Sequence, residues 1–285
     1  MCGIAAFFAR ESTIDYKHLD TLFSGAEKRG QDGFGICVVK KEIKRKITYV
    51  FKDPDPYSKC KDKVKKFIQK CELGIGDLIM AIARAAPETE PATDKMRVNE
   101  TLQPIINYNE GLVVVHNGAV SQVIYDEIKN YYKKLSSQDQ HYEYQTDIDS
   151  EAIAAAYVAN GRNMKKTMEY LSGGFAFIMY DQNKDMLYVV NDHMQLSQGY
   201  IRGLGFFLHS DNNIIGQVIN DYLGATRDGM FLWENFYHHY LDGHNIREID
   251  LQSGFMRKEK YTPRYITPTF DSINGVVKDL KNDTI

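Results

Sequence analysis

Met1-Cys2-Gly3-Ile4-Ala5-Ala6-Phe7-Phe8-Ala9 opens the chain. Residues 3–9 form a short apolar run without polar interruption. Such a run suits a strand buried on both faces. The two residues before it supply chemistry. An initiator methionine is normally removed when the second residue is small, and cysteine qualifies. Removal leaves a thiol and a free α-amine on Cys2. A free α-amine titrates at about 7.7–8.0, so it can take up a proton near neutral pH. One residue then offers both nucleophile and base, directly or through a water. On its own, a cysteine at position 2 is far more often a chance small residue.

Working outward, residues 15–28 read as a helix and 34–39 as a strand, with Gly30 and Gly33 breaking the pattern between them. A basic hairpin tip covers 40–46, followed by a strand at 47–51 and a loop at 53–56. Residues 58–71 place Val64, Phe67 and Ile68 on one side of a lysine-rich helix. Its basic face reads as solvated, with a docking patch as the alternative. A strand at 77–84 leads into an irregular loop over 85–101 that contains Pro87 and Pro91. Residues 111–115 form a buried strand ending at His116-Asn117-Gly118. Helices are expected at 121–135, 149–160, 163–171 and 213–222. Strands are expected at 174–180, 186–191, 199–202 and 205–209. From about 262 the chain is polar and lacks periodicity. Strands cluster toward both ends with helices between them, which argues an α+β layered fold over a doubly wound parallel sheet. One domain over 2–254 with a polar tail over 255–285 is the economical division.

Composition narrows the function classes. The 285 residues are 43% hydrophobic and 26% charged, with a formal net charge of −3. That is ordinary for a globular protein and gives no global field pointing to nucleic acid. No run approaches the ~18 apolar residues that span a bilayer. The start lacks the pattern of a secretory signal, so a cytoplasmic location is expected. None of the four cysteines sits in a CxxC pair, which argues against structural zinc. Cys37 lies in an apolar run and reads as core, while Cys60 and Cys71 read as reduced and incidental. His238, His239 and His244 crowd near a turn without a clear carboxylate set, so no metal is assigned. No phosphate loop or dinucleotide fingerprint appears, so no cofactor is assigned.

After Cys2-Gly3-Ile4 come Arg29-Gly30-Gln31-Asp32-Gly33-Phe34-Gly35, then Arg84, His116-Asn117-Gly118 and Asp149-Ser150-Glu151. Their order and spacing resemble the glutaminase domain of the class II, N-terminal-nucleophile glutamine amidotransferases. The resemblance runs from Cys2 to roughly Gly254. It implies a four-layer αββα sandwich of the Ntn-hydrolase type. It implies hydrolysis of L-glutamine to glutamate and ammonia through a γ-glutamyl thioester on Cys2.

It also implies roles for the matching residues. Asn117 offers its side-chain amide and Gly118 its backbone N–H to the tetrahedral oxyanion, which needs preorganised donors. Arg84 matches the arginine that holds the substrate α-carboxylate, where a planar fork is suited. Asp149 matches the acid that meets the α-ammonium. Arg29 helps shape the glutamine pocket and Asp32 holds its loop. Other readings stay open. Asn117-Gly118 can be a hairpin turn. Thr146-Asp147 is a competing registration, in which Asp147 is otherwise a helix N-terminal residue. Arg29 and Asp32 can be a surface ion pair.

Two stretches depart from the family pattern. Arg84-Ala85-Ala86-Pro87 lacks the hydroxyl that follows the arginine in many members. Asn191-Asp192-His193-Met194-Gln195-Leu196 stands where many carry Arg-Asp…Pro-Leu. Family members pass ammonia to a synthase, and here a separate ammonia-accepting synthase protein is expected as partner. No nucleic-acid or membrane partner is expected, and an oligomer stays open. Two rivals remain: a related Ntn hydrolase acting on a γ-glutamyl or other amide, and a catalytically weak regulatory or scaffold subunit. Retention of Met1 would favour the second.

Overall fold

The computed structural model describes residues 1–42, 46–85, 98–135, 142–146, 148–225, 236–264, 266–271 and 276–281. Residues 43–45 of the expected basic tip, most of the 85–101 loop with Ala86, Pro87 and Pro91, and Asp147 lie outside them.

The apolar run forms β1 (Gly3–Ala9), buried at every position. It pairs antiparallel with β4 (Leu78–Ala83) on one side and β10 (Gly205–His209) on the other. Because side chains alternate along a strand, β1 feeds two cores. Ala5, Phe7 and Ala9 join a layer formed with α1 (Tyr16–Glu27), α2 (Tyr57–Cys71) and α7 (Asn212–Ala225). Ile4, Ala6 and Phe8 join a second layer, facing another sheet.

The first sheet is completed by β2 (Phe34–Lys41), β3 (Lys46–Asp53), β9 (Ser197–Ile201) and β11 (Phe236–Tyr240), in the order β11-β9-β10-β1-β4-β2-β3. The second contains β5 (Ile105–Asn107), β6 (Leu112–Val120), β7 (Gly173–Asp181), β8 (Met186–Asn191), β12 (Asn245–Asp250) and β13 (Met256–Lys260). Its order is β13-β12-β8-β7-β6-β5. A short helix, α3 (Val98–Thr101), precedes β5, and the outer face of this sheet packs on α4 (Gln122–Leu135), α5 (Glu151–Ala159) and α6 (Met164–Tyr170). The layers therefore run helix, sheet, sheet, helix, which is the αββα sandwich expected from the resemblance. The described helices include none long and apolar enough to cross a membrane.

Local pattern explains most of these elements. In α2 the buried residues Tyr57, Cys60, Val64, Ile68 and Cys71 recur every three or four positions, leaving the lysines outside. Cys60 and Cys71 are therefore core side chains, and all four cysteines are free. The structure differs from expectation in three places. First, β6 does not stop at His116. It runs through Asn117 and Gly118 to Val120, because β7 pairs with it all the way. Tertiary pairing overrides the turn preference of Asn-Gly. Second, β11, β12 and β13 extend both sheets, and β13 with buried Tyr261 lies beyond residue 254. The division at 254/255 thus falls inside the β12–β13 hairpin. Third, β14 (Ile266–Asp271) and β15 (Val276–Lys281) pair with each other within the supposed featureless tail.

Register positions the site. Val113, Tyr180, Leu187 and Ile249 lie in one cross-strand row of the second sheet. Asn117, Ala176, Asn191 and Asn245 lie in another. Four residues separate the rows along β6, about 13 Å of extended chain.

Candidate active site

Cys2 sits just before β1, with its side chain packed against the layer between the sheets. Two segments meet it there, the end of β4 and the stretch around Asp149. From the end of β4, the Ala85 N–H donates to Cys2 Sγ at 3.4 Å. The Arg84 guanidinium and the Asp149 carboxylate both act electrostatically on the thiol. Burial is the main influence and pushes the Cys2 thiol pKa up. The Ala85 N–H, the chain-terminal ammonium and Arg84 oppose that shift, while Asp149 adds to it.

Close backbone contacts hold this corner, and glycines permit them. A Cβ on Gly3 would lie 2.0 Å from the Ala26 carbonyl oxygen at the end of α1. A Cβ on Gly30 would meet the Ala83 and Arg84 backbone at 2.5 Å. The loop between α1 and β2 is clamped to β4 by two backbone hydrogen bonds. The Asp32 N–H donates to Arg84 O at 2.8 Å, and the Arg84 N–H donates to Gly33 O at 2.9 Å. The backbone of Asp32 thus ties the loop to Arg84. Ser210 fixes the other side: its N–H donates to Ile4 O at 3.0 Å and its hydroxyl accepts from the Ile4 N–H at 3.2 Å.

Arg29 projects from this loop. Its Nη1 donates to Ser210 O at 3.4 Å and its Nη2 lies 3.8 Å from Met1 Sδ. Its Nε is buried without a hydrogen-bond partner. Met1 itself is 70% exposed, so its side chain covers Arg29 while remaining accessible from outside.

The opposite wall belongs to the second sheet. Val113 and Val115 of β6 face the inter-sheet layer, and alternation sends Asn117 the same way. Asn117 is fully buried, yet neither its Oδ1 nor its Nδ2 has a partner. Buried amides are normally satisfied, so this one requires an explanation. Gly118 has φ +115°, and a Cβ there would lie 2.1 Å from the Gly174 carbonyl oxygen of β7. Only glycine allows both that dihedral and that approach.

Asp149 precedes α5. Its Oδ2 accepts the Val120 N–H at 2.9 Å and its Oδ1 accepts from the Ser150 hydroxyl at 3.4 Å. Ser150 in turn contacts His116 Nδ1 at 2.7 Å. Gln103 closes the network, with its Oε1 accepting the His116 N–H at 2.6 Å and its Nε2 donating to His116 O at 3.0 Å. Burial pulls the His116 pKa down to about 4, partly offset by Asp149, so the ring is neutral at pH 7. Glu151 is wholly buried and braces the preceding segment. It accepts the Gln145 N–H at 2.8 Å and the Thr146 N–H at 2.7 Å, and also the Thr146 and Tyr142 hydroxyls.

The fold thus brings Arg84 and Asp149 within electrostatic reach of Cys2, places Arg29 beside Met1, and puts Asn117 on the facing wall. Sequence reasoning missed the Ala85 N–H, Gln103 and the bracing role of Glu151. A backbone donor has no sequence signal. Gln103 lies in a stretch that reads as loop. Glu151 is visible only as an acid at the start of an otherwise apolar helix.

Comparison with known proteins bears on the domain type and the fold. A family profile described as a glutamine amidotransferase domain matches residues 92–210. A 7-cyano-7-deazaguanine synthase from Sulfolobus acidocaldarius is 25% identical over 214 residues, covering 74% of this chain and 40% of that protein. A putative glutamine-hydrolysing asparagine synthetase from Methanocaldococcus jannaschii is 24% identical over 80% of this chain and 35% of its own length. The chain therefore spans well under half the length of these relatives. Among solved structures, the glutamine phosphoribosylpyrophosphate amidotransferase from B. subtilis superposes with a TM-score of 0.61 at 18% identity, over 92% of this chain and 49% of that one. At that identity the likeness establishes the fold. Residues 92–210 thus resemble a glutamine amidotransferase domain, and the chain shares the fold of the B. subtilis amidotransferase.

Proposed function

We propose that this chain hydrolyses L-glutamine to glutamate and ammonia through a thioester on Cys2, and hands the ammonia to a synthase partner. The carrying observation is the pairing of two features on opposite walls of the inter-sheet layer: the Cys2 thiol, and the buried, unpartnered amide of Asn117. Such an amide is costly in the resting protein, and an arriving oxyanion would satisfy it.

Loss of Met1 begins the sequence. It uncovers Arg29 and places an α-amine on the residue that bears the thiol. The amine takes the thiol proton, and sulfur adds to the glutamine side-chain carbonyl carbon. Asn117 Nδ2–H and the Gly118 N–H meet the resulting oxyanion. Collapse expels ammonia, which carries away the proton held by the amine, and leaves the thioester. Water then releases glutamate and regenerates the thiol. Arg84 receives the substrate α-carboxylate, Asp149 faces the α-ammonium, and Arg29 closes the pocket. These groups select free glutamine over an amide lacking either charge. That support for both charges favours glutamine over the rival amide substrates.

The relatives named above carry names of synthases, which supports an ammonia-consuming partner without choosing its acceptor. Intact-mass measurement joined to a glutaminase assay tests the reading. The active protein is expected to lack one methionine, and a variant that keeps Met1 should release no ammonia. Turnover by protein that still carries Met1 would overturn the mechanism.

A further inference from the structure

The stretch Asn191-Asp192-His193-Met194 departs from the family pattern, and the glutaminase mechanism leaves it unused. In the structure it meets a second segment. His244, in the turn before β12, places Nε2 at 2.9 Å from Asp192 Oδ1. His193 Nδ1 contacts the same oxygen. The three ligating atoms lie within 4.8 Å of one another. His238 and His239, which crowd His244 in sequence, instead lie on β11 of the other sheet.

We propose that Asp192, His193 and His244 bind one divalent transition-metal ion of the zinc class. Two imidazoles and one carboxylate suit Zn²⁺ and its neighbours, whereas Mg²⁺ and Ca²⁺ prefer oxygen ligands throughout. Zinc bonds of about 2.0–2.2 Å place tetrahedral ligand atoms about 3.3 Å apart. The present spacing reaches that with a small outward turn of a ring. His193 can make it, because its side chain is 56% exposed. That exposure also leaves the remaining coordination position open to water or to a partner's side chain.

The backbone supports the same assignment. His193 has φ 41° and His244 φ 56°, two of the five non-glycine residues at positive φ among the described residues. Histidine tolerates this region better than most residues, but it remains uncommon and tends to cluster at functional sites. Here both instances bring a ring to one carboxylate oxygen. Strands anchor two of the ligands. The Asp192 N–H donates to Phe175 O at 2.7 Å, and the His244 N–H donates to Asn191 O at 3.0 Å. Asp192 is buried, so the carboxylate is held in place before any ion arrives. A bound ion would clasp the 192–196 loop to the turn at 243–244. That clasp stands beside the row that contains Asn117, on the neighbouring strands.

Zinc titration of the full chain, stripped with a chelator and followed by calorimetry, tests the site. One equivalent is expected to bind, and the ion should raise Tm. His193→Ala and His244→Ala should each weaken binding by about 100-fold or more, beyond what loss of an outer-shell contact produces. Cys2→Ala and His238→Ala should bind as the parent does, and Co²⁺ in place of Zn²⁺ should show no thiolate charge-transfer band. Failure to saturate below about 1 mM Zn²⁺, binding that survives His193→Ala, or binding lost with Cys2→Ala would overturn the proposal. His193 is exposed, so its variant remains decisive even if His244→Ala fails to fold.

Discussion

The space between the two sheets has two ends, and they differ sharply. At one end Phe8 and Leu78 of the first sheet meet Leu187 and Ile249 of the second in an apolar layer. At the other end lie Cys2, Arg84, Asn117 and Asp149. The same strands build both. β1 starts at Gly3, next to Cys2, and runs past Phe8, and β6–β8 carry the Val113–Tyr180–Leu187 row and the Asn117–Ala176–Asn191 row. The face is shared, so burial alone does not distinguish the ends. The closed end contains side chains that need no partners. The other end contains the buried Asn117 amide, whose Oδ1 and Nδ2 have no hydrogen-bond partner. One face of a sandwich can therefore carry an apolar layer and a buried, unpartnered amide about 13 Å apart along one strand.

Breaking the reactive end should remove chemistry without harming the fold. Cys2→Ala is expected to lower glutaminase activity by at least about 10³-fold while changing Tm little, because the thiol lies at a chain end. Ammonia release within about tenfold of the parent would sink the nucleophile assignment. Asn117→Ala should lower kcat by roughly 10²–10³ with a smaller effect on KM. The same change should leave stability unaltered or slightly raised, since it deletes a buried amide that has no partner. A clear loss of stability in urea unfolding would make Asn117 a structural residue.

The closed end should respond in the opposite way. Leu187→Ala should cost about 3 kcal/mol of stability through lost burial and the cavity left behind. Its kcat/KM under folding conditions should stay within about twofold of the parent. A large change in kcat/KM would mean that the two ends are coupled. The smallest effect sharpens the substrate reading. Arg84→Lys keeps the charge but loses the planar fork, so KM for glutamine should rise about tenfold. Glutamine blocked at its α-carboxylate should react equally poorly with both proteins. If the variant still discriminates blocked from free glutamine as the parent does, Arg84 does not hold the carboxylate.

Much of this architecture was legible in the sequence. The unbroken run at 3–9 specified a strand covered on both sides, and Val64, Phe67 and Ile68 beside a row of lysines specified a one-sided helix. Hydrophobic periodicity encodes burial locally, so it survives reading one segment at a time. The edge strands were harder. β11 reads Phe-Tyr-His-His-Tyr and β13 reads Met-Arg-Lys-Glu-Lys, and neither shows an apolar stripe. An edge strand is specified largely by the neighbour it pairs with, which no local pattern contains.

A thiol at position 2 ahead of an apolar strand, with arginine, Asn-Gly and aspartate following in order, is read from residue order alone. Which of these share a space is set by the tertiary structure. It carried β6 through Asn117 and Gly118 because β7 pairs there. It brought Asp149 to Cys2 across 147 positions of chain. It gave His244 a carboxylate from Asp192 while sending His238 and His239 to the other sheet. The physical reason is common to all three. Local sequence sets which face of an element is apolar, whereas strand register and sheet packing set which side chains converge.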